Sequence, residues 1–181
     1  GFAIDWLIFN GNAAGHHAMS LLFHIINGVL VYYLTNLILK DKLKALVCAV
    51  IFCLHPLQVE TVAWVSAKNN LVYSVFFLLG LMHYSKFVLN GIKKNYIYAL
   101  LFFILSGLSK PSAICFPLVL VALDYILKEK QNFKSLVLNK IPFIIVALII
   151  GLATIYTRTE DKFINQNQYC LICDTGIVCC I

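Results

Sequence analysis

Long apolar runs separated by short basic turns constrain this chain more than any other feature of its sequence. The longest run extends from His16 to Leu39. At about 1.5 Å per residue it is long enough to cross a hydrocarbon core of about 30 Å. Of the 181 residues, 61% are hydrophobic and 12% are charged, whereas a soluble domain is roughly half apolar and a quarter charged. The pattern predicts an all-α, polytopic transmembrane helix bundle.

About six membrane segments are predicted, with limits at 16–39, 43–54, 71–89, 96–109, 113–127 and 141–156. The fourth and fifth are short for full spans, so they are interpreted either as tilted helices or as a re-entrant pair. We expect an interfacial segment on the outer face (1–15), a partial bundle (16–157) and an outer-face tail (158–181). Because the chain starts at Gly1 without an initiator Met, we expect a fragment of a longer protein.

Most of the basic residues fall in alternate loops. Short cytoplasmic loops carry the excess of Lys and Arg in membrane proteins, so these loops are predicted to be cytoplasmic. The formal net charge of +6 is then a sign of membrane orientation, and no nucleic-acid partner is predicted. The lysines concerned are Lys40, Lys42, Lys44, Lys86, Lys93, Lys94, Lys128, Lys130, Lys134 and Lys140.

A dense polar stretch, His55 to Asn70, interrupts the apolar runs on the predicted outer face. If this stretch is helical, Glu60, Trp64 and Lys68 share one side, because residues four apart are neighbours on a helix. A carboxylate can bond hydroxyls or accept a proton, an indole can stack on a pyranose, and an ammonium can hold a phosphate. The combination predicts a site for a sugar phosphate.

Lys110 adds a second cation on the same face, at a break between two apolar runs. The candidate catalytic residues are Glu60 and His55. The alternative is an ion pair between Glu60 and either Lys68 or Lys110 that only holds loops together. We favour substrate binding, because single ion pairs do not explain the whole set of polar groups on one face.

The first apolar run also carries polar residues at helical spacing: His17, Ser20, His24 and Asn27. They form one stripe, which must face protein or a cavity because lipid offers no partners. His17 and His24 are interpreted as part of the cavity wall. A less favoured alternative is a haem held by His24 and His83.

The last twelve residues contain Cys170, Cys173, Cys179 and Cys180. The first two have a C-x-x-C spacing, but no second pair or histidines complete a zinc site. A metal or redox role is therefore the weaker interpretation, beside the start of another membrane segment. No cofactor is predicted, and the sequence leaves a requirement for a divalent metal open.

Several stretches resemble bacterial multi-pass proteins related to the transmembrane and tetratricopeptide-repeat O-mannosyltransferases. The most specific stretch is His55-Pro56, followed by Glu60 and by Val62-Ala63-Trp64. The other stretches, in the same order as in that family, are His16-His17 with Leu21 to Asn27, Lys68, Leu108-Ser109-Lys110-Pro111, Phe116 to Leu120 and Leu123-Asp124-Tyr125.

The resemblance implies a glycosyltransferase of the C-type membrane fold. Such an enzyme takes a sugar from a polyprenyl-phosphate carrier and transfers it to a protein or glycan acceptor on the outer side of the membrane. It implies a bacterial inner membrane with the active face towards the periplasm, and a tetratricopeptide-repeat domain downstream. The implied substrate-binding residues are Lys68, Lys110, Trp64, Asn69, His17 and His24.

The chain departs from the family pattern in two places. The acidic motif taken to hold the catalytic base lies upstream of His16 in that family, and only Asp5 remains here. Where relatives often have Arg-Lys-Asp, this chain has Lys68-Asn69-Asn70. We therefore expect the fragment to be inactive alone. The rival hypotheses are a transporter or flippase for lipid-linked sugars, with the same cavity but no chemistry, and a purely structural membrane subunit.

Overall fold

A computed structural model describes residues 13–56, 58, 68–127 and 139–174, and within them it contains only helices. In chain order these are α1 (Ala13–Leu39), α2 (Lys42–Leu54), α3 (Lys68–Asn90), α4 (Lys93–Ser109), a short 3-10 helix (Pro111–Cys115), α5 (Phe116–Leu127) and α6 (Ile141–Asp174). The all-α prediction is confirmed. Two helices, α1 and α3, are long and apolar enough to cross a bilayer by themselves. The count of six spans therefore stays a prediction.

The ends of the helices follow from local chemistry. Lys40, just after α1, has a positive φ of 54°, and Gly91, just after α3, has a φ of 71°; glycine adopts this left-handed conformation without a steric cost. At the end of α2, His55 is extended, with φ −65° and ψ 131°. The following Pro56 explains this, because the residue before a proline avoids the helical region.

Asp41 caps the N-terminus of α2. Its Oδ1 accepts hydrogen bonds from the backbone N–H of Leu43 at 3.0 Å and of Lys44 at 3.3 Å, and its Oδ2 lies 3.3 Å from Lys44 Nζ. These contacts satisfy N–H groups that have no partner within the helix. The hydrogen bond from the Lys44 backbone, then that from its side chain, lowers the pKa of Asp41.

Because the pKa of Asp41 is lower in the folded protein, the carboxylate stabilises α2 above the unfolded pKa. This stabilisation is lost as the pH falls through the folded pKa. We expect Asp41→Asn to retain the cap and to abolish its pH dependence between pH 5 and pH 3, roughly the range in which a carboxyl titrates. Hydrogen exchange of the α2 amides at several pH values measures this. Equal acid sensitivity in the variant and the wild type would contradict it.

The helices pass back and forth, so that their ends form two levels. One level, the lysine-rich end, contains the turns from Leu39 to Lys42 and from Asn90 to Lys93, and the start of α6. The opposite end contains the start of α3 and the junction of α4 with the 3-10 helix. In this arrangement α3 contacts α1, α4 and α5, and α6 packs against α4, α5 and the 3-10 helix.

Aromatic rings fill the centre of the α3–α6 bundle. Phe103, Phe116 and Phe143 are fully buried, and the rings of Phe103 and Phe116 stack with centroids 4.7 Å apart. Gly80 on α3 permits this packing, since a Cβ there would lie 3.0 Å from Phe116 Cζ. Large apolar side chains, such as Leu118, are exposed around this core. A belt of exposed apolar groups is typical of a helix surface in contact with lipid.

The last helix is longer than its apolar part. The sequence predicts a segment that ends near Tyr156, whereas α6 continues to Asp174. The polar residues after Thr157 include Glu, Lys and Gln, which are good helix formers, so the helix can continue beyond the apolar span. Cys170 and Cys173 lie on this helix, while Cys179 and Cys180 fall outside the described residues. The metal or redox alternative at these cysteines stays untested.

Candidate functional site

Two segments that are forty residues apart in the chain meet at the opposite end of the bundle. Lys110 Nζ donates a hydrogen bond of 2.6 Å to Asn70 Oδ1. Asn70 lies in the first turn of α3, and Lys110 is the extended residue (φ −156°, ψ 132°) between α4 and the 3-10 helix. Pro111 follows Lys110 and favours this extended backbone. This interruption between the two helices thus turns the lysine side chain towards α3.

Lys68 lies in the same turn of α3 as Asn70. It is only 5% exposed, and its Nζ is 5.9 Å from the centroid of the Phe23 ring on α1. An ammonium at this distance from an aromatic face gains a cation–π attraction. Lys68 and Asn70 are two positions apart, so their side chains leave different sides of α3. We refer to Asn70 and Lys110 as the lysine–asparagine cluster.

Lys110 keeps its positive charge in this contact. The Asn70 amide orients the Lys110 ammonium but carries no charge of its own, and an ammonium has three donors, of which this bond uses one. A cation held in place by a neutral partner, with donors left over, suits a phosphate or another anion.

Helix α1 supports this end of the bundle with buried polar contacts. His24 Nε2 donates to the Cys53 carbonyl on α2 at 3.2 Å, and the His24 ring stacks on Phe52 with centroids 6.0 Å apart. Asn27 is 1% exposed and donates through Nδ2 to the Leu71 carbonyl on α3 at 3.1 Å. These bonds tie α1 to the ends of both neighbouring helices, next to the cluster.

The structure separates the predicted site residues into three groups. Lys68, Lys110 and His24 are brought to one end of the bundle, whereas His17, His55 and Asn69 are exposed. Glu60 and Trp64 lie outside the described residues, so their predicted roles stay predictions.

The predicted polar stripe on α1 is shifted by one position at its start. His16, 7% exposed, is buried together with Ser20, His24 and Asn27, whereas His17 is exposed and its place in the cavity wall stays a prediction. A spacing of four residues from His16 to Ser20 fits a helical face as well as a spacing of three from His17. The sequence pattern alone did not distinguish the two.

The haem alternative needs two histidines that face one another. His24 packs against α2, as described above, whereas His83 stacks on Phe102 of α4 with centroids 5.5 Å apart. The two rings therefore have different neighbours. Among the residues whose positions are described, no group of three or more His, Cys, Asp or Glu is placed to hold a metal ion.

Sequence reasoning missed a buried polar network at the lysine-rich end. Lys140 Nζ lies 2.7 Å from Asp124 Oδ2, with each side chain 5% exposed, and Tyr84 Oη donates to the same oxygen at 2.9 Å. We call Tyr84, Asp124 and Lys140 the Asp124 network. The sequence did hold a signal, because Asp124 is the one acidic residue in the apolar run 113–127, and such residues need a partner. Lys140 had been counted among the loop lysines.

Comparison with known proteins identifies the family. The family described as "Predicted membrane protein (DUF2142)" matches residues 8–173, which is most of the chain. The chain belongs to the DUF2142 family. It is thus a helical membrane protein, in agreement with the apolar segments and the exposed apolar belt. No solved structure matches the chain.

Three curated relatives are similar to part of this DUF2142 protein. The mouse (Mus musculus) Protein O-mannosyl-transferase TMTC3 is 29% identical over 85 residues, 47% of this chain and 9% of the relative. The human (Homo sapiens) protein of the same name is 25% identical over 85 residues, which are again 47% of this chain and 9% of the relative. The fruit fly (Drosophila melanogaster) Protein O-mannosyl-transferase Tmtc1 is 24% identical over 62% of this chain and 13% of its own length. The chain thus matches about a tenth of the length of these relatives.

Proposed function

We propose that this chain is part of a membrane glycosyltransferase. The enzyme takes a sugar from a polyprenyl-phosphate carrier and passes it to a protein or glycan acceptor on the non-cytoplasmic face. Weak similarity to O-mannosyltransferases supports the reaction class. The observation that carries the proposal is the hydrogen bond between Lys110 and Asn70, which fixes a cation at the end of the bundle away from the lysine-rich turns.

In such a transfer an acceptor hydroxyl attacks C1 of the sugar while the bond from C1 to the phosphate oxygen breaks. The hydroxyl proton goes to a base, and the polyprenyl phosphate leaves with an additional negative charge. Ammonium groups fixed near that oxygen stabilise the developing charge more than they stabilise the ground state. We assign this role to Lys110, and phosphate binding by Lys68 stays a prediction.

We assign no base within the described residues. The two carboxylates whose side chains the structure describes, Asp41 and Asp124, lie at the lysine-rich end, away from the cluster. The base in this proposal comes from Glu60 or from a further segment of the protein.

A transfer assay with the purified protein in lipid nanodiscs tests the proposal. The donor is a polyprenyl-phosphate mannose with a radiolabelled sugar, and the acceptor is a mixture of Ser/Thr-containing peptides and oligosaccharides. We expect label to move into the acceptor fraction and Lys110→Met to reduce the rate at least tenfold, since the loss of one donor to a developing oxyanion has about this effect or more. Lys93→Met, an exposed lysine at the lysine-rich end, is the control.

The same labelled donor separates transfer from transport. In sealed vesicles that carry donor in one leaflet, a transporter moves intact lipid-linked sugar to the other leaflet and leaves its bond to phosphate unbroken. Movement of intact donor with no labelled acceptor would contradict the proposed transfer and favour the transporter.

A further inference from the structure

The interface between α3 and the segment from Lys110 to Leu127 has a side-chain hydrogen bond at each of its ends. At one end Lys110 bonds Asn70, and at the other Asp124 bonds Tyr84; in both pairs the partners are 40 residues apart in the chain. An equal separation at both ends means that the two segments run parallel and in register. We call the 3-10 helix and α5 together the rod (residues 111–127), because the chain passes from one to the other at Phe116 without leaving the helical region.

One face of α3 carries three contacts to Lys110 and the rod. Asn70, Phe77 and Tyr84 follow one another at intervals of seven residues, which returns close to the same side of a helix. Phe77 meets the Phe116 ring edge-on, with centroids 5.0 Å apart. The interface is therefore apolar in its middle and hydrogen-bonded about 21 Å apart at its two ends.

The apolar middle alone does not define an axial position well. Between membrane helices the lipid is as apolar as the side chains, so a shifted packing costs little in hydrophobic contact. A buried charge is different, because it must keep its partners wherever the helix moves. Asp124 Oδ1 is buried and has no hydrogen-bond partner among the described residues. The contacts of Oδ2 with Tyr84 and Lys140 therefore offset the cost of burying this carboxylate.

We infer that the Asp124 network is a positioning device, which fixes the register of the rod against α3 and thereby holds Lys110 beside Asn70. Tyr84 supplies the link to α3, and Lys140, at the start of α6, neutralises the carboxylate and ties α6 to the same point. Neither residue touches the lysine–asparagine cluster. The importance of the Asp124 network for ligand binding rests on the proposed function, whereas its effect on the register does not.

Thiol cross-linking measures the register without any ligand. Asn70→Cys and Lys110→Cys are introduced together into a protein whose native cysteines are replaced by serine, and a short bifunctional thiol reagent joins them. These two substitutions also remove the hydrogen bond between Lys110 and Asn70, so the rate of cross-linking reports the effect of the Asp124 network. We expect Tyr84→Phe, which retains the ring and the Asp124–Lys140 pair, to slow cross-linking about 10- to 100-fold, in proportion to a lost hydrogen bond to a charged group.

Two further variants complete the design. Asp124→Leu with Lys140→Met removes both charges and is expected to slow cross-linking at least as much as Tyr84→Phe. Tyr125→Phe is the matched control, because Tyr125 is the neighbour of Asp124 and is 85% exposed. Wild-type rates in both Tyr84→Phe and the double variant would overturn the inference. If the double variant does not fold, Tyr84→Phe decides alone.

A titration with farnesyl phosphate, using protein with Asn70 and Lys110 intact, tests the consequence for binding. We expect Tyr84→Phe to weaken binding by a factor similar to its effect on cross-linking. If the wild type does not bind farnesyl phosphate, the proposed function fails while the cross-linking result still decides the register. Unchanged binding in a variant that cross-links slowly would overturn the link between register and ligand.

Discussion

Replacing Asp124 by alanine is expected to destabilise the protein by about 3–5 kcal/mol, the cost of removing one partner from a buried ion pair. Lys140 would then keep an ammonium in a site that is only 5% exposed, and Tyr84 would lose the acceptor of its hydroxyl. Denaturant unfolding of the purified protein in detergent, followed by circular dichroism, measures the change in the free energy of unfolding.

The expectation for the double variant is different. Asp124→Leu with Lys140→Met removes both charges, and replacement of a buried ion pair by apolar residues of similar volume is often neutral or stabilising. Most of the stability lost in Asp124→Ala should therefore return. Tyr125→Ala, at the exposed neighbouring position, is the control for truncation of α5. A cost below about 1 kcal/mol for Asp124→Ala would mean that the Lys140 ammonium reaches water, and would contradict the buried pair.

Stability and register are separate properties of this network. An apolar double variant that is stable but cross-links slowly would show that the charges specify position, as single buried polar groups do in coiled coils. Loss of both properties together is the expectation for Asp124→Ala. The two experiments therefore test different consequences of the same two contacts, Tyr84–Asp124 and Lys140–Asp124.

Helix boundaries were largely predictable from this sequence. Charged and turn-forming residues end the apolar runs, and the predicted segment 71–89 differs from α3, Lys68–Asn90, by only a few residues. The larger difference is at α6, where hydropathy reports the membrane-embedded part and helix propensity governs the remainder. A hydropathy pattern locates apolar spans, and a helix that leaves the membrane continues beyond them.

Partners across the fold were not predictable in the same way. The isolated acid in α5 indicated a buried contact, but the choice between Lys140 and other lysines, and the additional contact with Tyr84, depends on how α3, α5 and α6 pack. Similarly, Lys110 was recognised as a cation at a helix break, whereas its partner Asn70 was not. Asn70 is a neutral residue in the first turn of α3, and the structure shows it bonded to this lysine.

The neutral partner of Lys110 gives the second large prediction. Asn70→Asp keeps the shape of the side chain and places a carboxylate at hydrogen-bond distance from the Lys110 ammonium. The new charge neutralises Lys110 and repels a phosphate. Two charges about 5 Å apart near a protein surface interact by roughly 3 kcal/mol. We therefore expect the affinity for farnesyl phosphate to fall about 10- to 100-fold, as measured by titration in nanodiscs.

The same substitution separates a binding site from a contact that only holds the bundle together. If the Lys110–Asn70 bond is only a structural contact, Asn70→Asp converts it into an ion pair, which leaves stability equal or greater and binding unchanged. If the cluster binds phosphate, stability is retained while binding is lost. Asn90→Asp, which adds the same charge at the exposed last residue of α3, is the control. Equal affinities for the wild type and Asn70→Asp would remove the cluster from the proposed phosphate site, because no phosphate next to Lys110 can be indifferent to a carboxylate there.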